Sequence, residues 1–402
     1  MLNTIDLFAG CGGLTDGFKQ TQKYNLLAGI EWDSNAVKTL RERLADTWGY
    51  DKPEQTILHF DIQRIDELLN GFNDELYGSS IGLNKLVGDQ TLDVVIGGPP
   101  CQAYSVAGRI RDANGMHDDY RNYLFESYMR IVDHFRPKAC IFENVPGMLS
   151  AAPGGIPIID RIRRAFNDAG YTISSDLKKE AMFDVSEFGV PQKRKRVIIA
   201  AFCNKAFENA DEKVTEFYKN LVSHKISRIY TAGEALSGLP AIYPLDDFEK
   251  NKSHFINEKD VGEKITDHTP RFHNKRDIEI FHLLAKDLET GECKYTSSKS
   301  LLDLYTEKTG KTSSVHKYHV IRSHLPSNTI PAHLYKDGLR HIHPDPKQAR
   351  SITVREAARL QSFPDDFKFC GANGAKYKMI GNAVPPMFAN LIATSLASTL
   401  SI

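Results

Sequence analysis

The sequence predicts an α/β fold, in which a mostly parallel β-sheet carries helices on both faces and is joined to a smaller irregular domain. Two observations predict it. In the first half of the chain, short apolar runs typical of buried strands alternate with helical patterns, and such alternation produces parallel sheets. From about residue 205 to 325 the chain is polar and its periodicity is weak, which indicates a separate, less regular domain.

The individual elements follow from the same periodicity. The predicted strands are residues 4–10, 25–31, 93–98, 139–145 and 196–202. The predicted helices are residues 34–44, 123–135, 157–170, 353–363 and 385–400. Gly170 suits the end of its helix, and a proline suits the start of the last one. Residues 296–314 are interpreted as a mobile loop.

The composition is that of a globular protein. Of the 402 residues, 41% are hydrophobic and 25% are charged, and 51 basic residues balance 51 acidic ones. This balance argues against a nonspecific polyanion binder, although basic residues are in excess in 178–196 and 336–359. No apolar run reaches the ~20 residues that span a bilayer, and no signal-peptide pattern opens the chain. A cytoplasmic protein without membrane association is therefore expected.

The cysteines are scattered and form no Cys-x-x-Cys pair. Neither a disulfide framework nor a metal site is therefore expected. The six are Cys11, Cys101, Cys140, Cys203, Cys293 and Cys370.

The segment DLFAGCGGLTDGF follows a predicted strand and opens a helix. Its glycines Gly10, Gly12 and Gly13 allow a tight turn and a close approach to a ligand. Thr15 stands where the dinucleotide fingerprint G-x-G-x-x-G requires its third glycine, so a nucleoside cofactor without phosphates, such as S-adenosylmethionine, fits better. Glu31 lies at a strand end about twenty residues later, where an acid binds ribose hydroxyls.

Two neighbouring residues have open interpretations. Trp32 is either a core residue or a stacking partner for an adenine ring. Asp61 is either an acceptor for the adenine or the N-cap of a helix.

Cys101 follows two prolines at the end of an apolar strand, in IGGPPCQAYS. Pro99 and Pro100 restrict the backbone and hold the thiol on a stiff turn. Alone, the motif indicates either a structural cysteine or a nucleophile. Glu143, in FENVPG, is either a solvated strand-end acid or a partly buried carboxyl able to donate a proton. Both follow strands of one sheet, which predicts that nucleophile and acid face each other.

The cluster QKRKR is either a solvated face or a pair of guanidiniums for a phosphate or a base carbonyl. Period-two alternation places Arg194 and Arg196 on one face, with Lys193 and Lys195 on the other. GNAVPP, farther along, is adequately explained as a turn before the last helix.

The order of these motifs resembles that of the DNA (cytosine-5)-methyltransferases. DLFAGCGGLTDGF, EWD, GGPPCQAYS, FENV, QKRKR, REAARLQSFP and GNAVPP occur in the family's order, over residues 1–204 and roughly 327–402. The resemblance implies a Rossmann-like S-adenosylmethionine-dependent methyltransferase sheet in residues 1–204, completed by 371–402. It also implies a target-recognition domain in residues 205–370. The implied activity is sequence-specific methylation of carbon 5 of cytosine in double-stranded DNA, with base flipping and a covalent cysteine adduct.

The resemblance further implies roles for the matching residues. In catalysis, Cys101 would be the nucleophile, Glu143 would contact ring nitrogen 3, Arg196 would contact the cytosine carbonyl, and Arg194 would position the active-site loop or phosphates. The residues implied to bind S-adenosylmethionine are Phe8, Gly10, Gly12, Gly13, Leu14, Glu31, Trp32, Asp61, Ile62, Leu124, Asn382 and Val384. The residues implied to contact the substrate are Pro99 through its carbonyl, Gln102 and Ser105 on a closing loop, Gln192, and Thr329.

Two alternatives remain at this point: the same chemistry on an RNA such as tRNA, and a non-catalytic DNA-binding regulator on this fold. A dehydrogenase is disfavoured by Thr15. The expected enzyme is a monomer that belongs with a cognate restriction endonuclease but forms no stable complex with it.

Overall fold

The computed structural model describes residues 1–100, 124–152, 155–245, 255–257, 265–336 and 338–401. The chain divides into two units. The first unit comprises Met1–Gly189, Arg194–Arg228 and Ala383–Ile402, and the second comprises Val190–Lys193 and Ile229–Asn382.

The first unit is built on a β-sheet. The strands of this unit are β1 (Leu2–Leu7), β2 (Tyr24–Glu31), β3 (Ile57–His59), β4 (Phe72–Asp74), β5 (Gly78–Ser80), β6 (Val94–Gly97), β7 (Ala139–Asn144), β8 (Tyr171–Ile173), β9 (Met182–Asp184) and β10 (Lys195–Cys203). β4 and β5 pair only with each other, and the rest form one sheet in the order β3-β2-β1-β6-β7-β10-β8, with β9 beside β10. The first five strands in this order are parallel, whereas β10 is antiparallel to its neighbours. The predicted α/β fold class is confirmed.

Helices connect these strands. Those of the first unit are α1 (Gly13–Gln20), α2 (Ser34–Trp48), α3 (Pro53–Thr56), α4 (Ile65–Asn70), α5 (Leu83–Val87), α6 (Leu124–Phe135), α7 (Ile158–Asp168), α8 (Leu177–Glu180), α9 (Ala210–Ser223) and, after the second unit, the C-terminal helix (Pro386–Thr399). Four of the five predicted helices are present in this unit with slightly shifted bounds, and the fifth, predicted at 353–363, lies in the second unit. None of the helices in the described ranges is both long and apolar enough to cross a membrane.

The parallel strands place their carboxyl ends along one edge of the sheet. β6 and β7 are buried along their whole length, which explains their continuous apolar sequence. Leu7, Glu31, His59, Gly97 and Asn144 are the last residues of β1, β2, β3, β6 and β7. The polar and glycine-rich segments that the sequence singles out begin at this edge, where parallel sheets bind ligands.

The second unit is mainly helical. It contains α10 (Ala232–Leu236), β11 (Ile242–Pro244), β12 (Phe255–Asn257), α11 (Lys275–Glu289), α12 (Ser298–Thr309), α13 (Val354–Leu360) and α14 (Asn373–Asn382), and the C-terminal helix of the first unit is then α15. The interpretation of residues 296–314 as a loop is wrong. Ser297 caps α12 by accepting from the Ser300 N–H, and Leu301 and Leu304 pack into the core of this unit.

This division differs from the predicted domain boundaries in where residues 205–228, 371–382 and 190–193 fall. The first segment contains α9, whose Tyr218 hydroxyl donates to the Ile198 carbonyl of β10 at 2.9 Å. The second contains α14, whose Tyr377 hydroxyl donates to the Ile352 carbonyl at 2.7 Å. Whether the chain folds as independent domains with the predicted boundaries stays a prediction.

Buried histidines are predicted to make the second unit sensitive to acid. Burial lowers the pKa of His273 and of His341 to about 3, and that of His343 to about 4. In an unfolded chain these side chains titrate near the ordinary value of 6.5. Below that pH the unfolded chain binds protons that the folded chain does not.

As the pH falls from about 6.5 to about 4, the free energy of unfolding should therefore decrease by ~1.4 kcal/mol per pH unit for each histidine. Above pH 6.5 these groups should not affect it. Hydrogen exchange of peptides from residues 265–360, measured across this range, checks the prediction. Protection that does not change with pH would contradict it.

Candidate active site

The glycine-rich turn after β1 is held in a left-handed backbone conformation. Phe8, Gly10 and Gly12 have φ angles of 62°, 57° and 97°. The Glu31 carboxylate, at the end of the neighbouring strand β2, accepts from the Gly10 N–H and from the Trp32 N–H, both at 2.8 Å. Sequence-predicted cofactor residues from two strands therefore meet here.

The three glycines serve different purposes. A Cβ atom on Gly10 would meet no atom of the described residues within 4 Å, so among them this glycine faces open space and leaves room for a ligand. A Cβ on Gly12 would lie 2.5 Å from Leu40 Cδ1, and one on Gly13 would lie 2.3 Å from the Val384 carbonyl oxygen. Gly13 is thus required for packing against Val384. Of the three glycines predicted to let a ligand approach the backbone, Gly10 fits that prediction best.

The ends of β2 and β3 bring Glu31, Trp32 and Asp61 to the same edge. Trp32 is 61% exposed and its indole donates to the Tyr77 hydroxyl at 3.2 Å, which excludes the core interpretation. Asp61 accepts from the Gln63 N–H at 3.0 Å, but helix α4 has Arg64 at its N-cap, so the N-cap interpretation is wrong.

Burial raises the pKa of Glu31, opposed by the backbone N–H groups that it accepts from. Its carboxylate already has three backbone donors, the third being the Asp33 N–H at 2.7 Å. A carboxylate can accept about four hydrogen bonds, so Glu31 retains capacity for a ligand hydroxyl.

The remaining predicted cofactor residues are apolar and buried, apart from Phe8 and Asn382. Leu14 lies in α1, Ile62 follows β3, and Leu124 begins α6. Val384 contacts Gly13 through its carbonyl. Asn382 is exposed and ends α14 in the second unit, so its role stays a prediction.

The segment after β6 approaches the end of β7. Cys101, Gln102 and Ser105 lie outside the described residues, but Gly98 and Pro99 lie within them. A Cβ on Gly98 would be 2.7 Å from Glu143 Oε2. The chain that leads to Cys101 therefore runs directly beside the predicted acid.

Glu143 and Arg196 form a buried ion pair. The antiparallel register of β7 and β10 pairs Glu143 with Ile198, and Arg196 Nε lies 2.7 Å from Glu143 Oε1. Burial raises the pKa of Glu143, and the guanidiniums of Arg196 and Arg194 oppose this rise. The solvated interpretation of Glu143 is therefore wrong, because the carboxyl is buried and held by a cation.

The alternation predicted for QKRKR is present. Arg194 and Arg196 are buried, whereas Lys193 and Lys195 are exposed. Arg194 is 1% exposed and donates through Nη2 to the Ala383 carbonyl at 3.0 Å. Burial lowers the pKa of Arg194. The burial of Arg194 suits a role in positioning other groups. It leaves the side chain no accessible surface for the phosphate contact that the sequence suggested.

Two predicted substrate residues lie in the second unit. Gln192 is fully buried, accepts from the Ile330 N–H at 2.9 Å and donates to the Leu360 carbonyl at 3.1 Å. Its side chain therefore joins segments of this unit and has no surface for DNA. Thr329 is exposed, and its hydroxyl donates to the Lys193 carbonyl at 2.7 Å.

Asn144 is a site residue that the sequence reasoning did not assign, although it lies within the quoted FENV motif. Its Oδ1 accepts from the Val145 N–H at 2.7 Å, which directs Nδ2 toward the Pro99 carbonyl at 3.4 Å. Asn144 is buried, and an amide in a buried strand end requires partners on both atoms. That requirement is the signal in the sequence that identifies it.

Gly98→Ala is expected to lower activity strongly while the protein stays folded, because the new methyl group would displace the Glu143 carboxylate. A displacement of about 1 Å in a catalytic group can cost ~100-fold in rate. Turnover rates and thermal unfolding of the variant check this. Gly374→Ala is the matched control, since its Cβ would meet only Tyr335 at 3.9 Å. Equal activity of the two variants would contradict the prediction.

The chain is similar to one protein family, to type II methyltransferases and to solved structures. A family model described as C-5 cytosine-specific DNA methylase matches residues 2–73 and 78–398. The chain is 33% identical to type II methyltransferase M.Bpa9945I of Bacillus paralicheniformis over 99% of each chain, and 28% identical to type II methyltransferase M.AgeI of Thalassovita gelatinovora over 100% of each. A solved DNA modification methyltransferase encoded within an E. coli prophage aligns over 100% of both chains, with a TM-score of 0.64 and 23% identity. At 23% identity, the similarity to this structure shows a shared fold.

Proposed function

The chain belongs to the C-5 cytosine-specific DNA methylases, and from this membership we propose how its own residues carry out the reaction. The enzyme methylates carbon 5 of cytosine in DNA and uses S-adenosylmethionine. The observation that carries the assignment of roles is the buried Glu143–Arg196 pair, which lies beside the segment that leads to Cys101.

The residues at the ends of β1, β2 and β3 fit S-adenosylmethionine. Gly10 leaves open space beside the turn, Glu31 has capacity for a ribose hydroxyl, and the exposed ring of Trp32 offers a face for an adenine. Asp61 supplies a carboxylate at the same edge for the adenine amino group. When bound, S-adenosylmethionine supplies an electrophilic methyl group on a sulfonium.

Cys101 begins the chemistry. Carbon 5 of cytosine is too weak a nucleophile to accept a methyl group unaided. When the Cys101 thiolate forms a bond to carbon 6, the electron pair of the 5,6 double bond moves to carbon 5, which becomes nucleophilic. After methylation, loss of the carbon 5 proton and expulsion of the thiolate restore the aromatic ring.

Glu143 and Arg196 stabilise the charge that this attack creates. Glu143 donates a proton or a hydrogen bond at ring nitrogen 3, and the burial that raises its pKa supports this role. Arg196 places its guanidinium at the carbonyl oxygen of the base, where negative charge also develops. Pro99 accepts from the cytosine amino group through its carbonyl. Arg194 positions this part of the chain.

The base must leave the duplex to reach Cys101, which costs a few kcal/mol that contacts to the DNA must offset. The second unit selects the DNA sequence, with Thr329 among its exposed residues. The similarity to type II methyltransferases supports a modification role for this chain. We further propose that it acts as a monomer in the bacterial cytoplasm, alongside a cognate restriction endonuclease with which it forms no stable complex.

Bisulfite sequencing of plasmid DNA from cells that express the chain tests the proposal. We expect protected cytosines in one short sequence and unprotected cytosines in cells with an empty vector. Plasmid DNA without protection at any site would overturn the proposal. Protection found in tRNA alone would favour the RNA alternative.

A further inference from the structure

Thr15 occupies the position at which a dinucleotide-binding turn would carry its third glycine, and the structure indicates what its hydroxyl does. Thr15 Oγ1 donates to Asp6 Oδ2 at 2.5 Å, from the first turn of α1 to strand β1. Both side chains are almost completely buried. A hydroxyl-to-carboxylate bond of this length belongs to the strong, charge-assisted class.

Asp6 depends on this contact. Within the described part of the chain its other oxygen, Oδ1, has no hydrogen-bond partner. Burial raises the pKa of Asp6 to about 7, and Glu31 raises it further, whereas the Thr15 hydroxyl and, to a smaller extent, the Thr15 backbone N–H oppose the rise. Burying an acid in the middle of a parallel sheet destabilises the fold, and an apolar residue at the same position would avoid this destabilisation. Its location next to the glycine turn therefore requires an explanation.

The turn between Asp6 and Thr15 is strained. Phe8 is not a glycine, yet its φ is 62°, a conformation that persists only where the surroundings enforce it. Glu31 holds the middle of the turn through the Gly10 N–H. The Asp6–Thr15 bond connects the two elements at its ends.

Two other buried contacts of α1 come after Thr15 in the helix. Asp16 forms an ion pair with Arg43 of α2 at 2.7 Å. A Cβ on Gly17 would lie 2.4 Å from Ala389 of α15. These contacts fix the helix as a body, whereas Thr15 connects its first turn to the strand that precedes the glycines.

We propose that Asp6 and Thr15 are positioning residues, which hold the glycine turn in the conformation that binds S-adenosylmethionine before the cofactor arrives. This inference rests on the proposed cofactor site. In this arrangement two acids hold the turn. Glu31 holds its centre, and Asp6 connects its two ends through Thr15. Thr15 therefore replaces the third glycine of the dinucleotide fingerprint with a hydrogen-bond donor.

Calorimetric titration of the full chain with S-adenosylhomocysteine, alongside thermal unfolding, tests the proposal. Thr15→Val should weaken binding roughly tenfold or more, because it keeps the shape of the side chain but removes a donor to a buried carboxylate. Thr15→Ser should restore binding to within about threefold. The matched control is Thr4→Val. Thr4 is a buried threonine of β1, the strand that contains Asp6, and its hydroxyl donates to the Leu2 carbonyl at 3.2 Å.

The outcomes separate the possibilities. Unchanged binding by Thr15→Val, or the same weakening by Thr4→Val, would overturn the inference. A wild-type chain that does not bind S-adenosylhomocysteine would overturn the cofactor site and the inference with it. If Thr15→Val does not fold, Asp6→Asn, which keeps an acceptor oxygen, should bind well, whereas Asp6→Leu should not. Equal binding by these two variants would overturn the inference.

Discussion

Cys101→Ser is expected to abolish DNA methylation, with a loss of roughly 10⁴-fold or more, as for other enzymes that lose their nucleophile. A serine hydroxyl is almost never ionised at neutral pH, so it cannot add to carbon 6 as the thiolate does. Methyl transfer to plasmid DNA measures the loss. DNA binding, measured by gel shift, should persist, because the thiol acts on the base after the DNA is bound.

A covalent trap sharpens this test. DNA with 5-fluorocytosine at the target site has no removable proton on carbon 5, so the wild-type chain should remain attached through Cys101. Cys101→Ser should form no such adduct. Cys293→Ser is the matched control, since Cys293 is an exposed cysteine in the second unit and should behave as wild type. Residual methylation together with lost DNA binding would contradict the assigned role.

Glu143→Gln is expected to lower kcat by about 10²–10⁴-fold, the contribution typical of a general acid. The amide keeps the size of the side chain and a hydrogen-bond donor, but it cannot give up a proton to ring nitrogen 3. Because burial raises the pKa of Glu143, wild-type activity should decline as the pH is raised and the donor loses its proton. Glu143→Gln should lack this decline.

Asp93→Asn provides the matched control for this variant. Asp93 is 8% exposed, as Glu143 is, and forms an ion pair with Lys138 at 2.8 Å. It directly precedes β6, at the amino end of the sheet, far from the predicted chemistry. This variant should lose stability but keep the wild-type pH profile of kcat. A Glu143→Gln enzyme that retains both the rate and the alkaline decline would contradict the proposed proton donor.

Local sequence was sufficient for the elements and for much of the active-site edge. The strands and helices of the first unit were predictable because buried strands require continuous apolar runs and helices require their own period. The alternate burial of Arg194 and Arg196 followed from the period of two in an extended chain. The α12 helix was missed because its stability comes from the Ser297 cap and from two leucines packed in the second unit, and not from a strong pattern.

Short-range patterns in the chain are enough to identify the residues available for the chemistry and the strand ends at which they lie. Which of these groups meet depends on long-range packing. The pairing of Glu143 with Arg196 depends on the antiparallel register of β10 against β7, and the Thr15–Asp6 bond depends on how α1 packs on β1. Long-range packing also places Gly13 against Val384, whereas Gly10 faces open space among the described residues. Register and packing are set by the burial of whole surfaces, and no local segment contains that information.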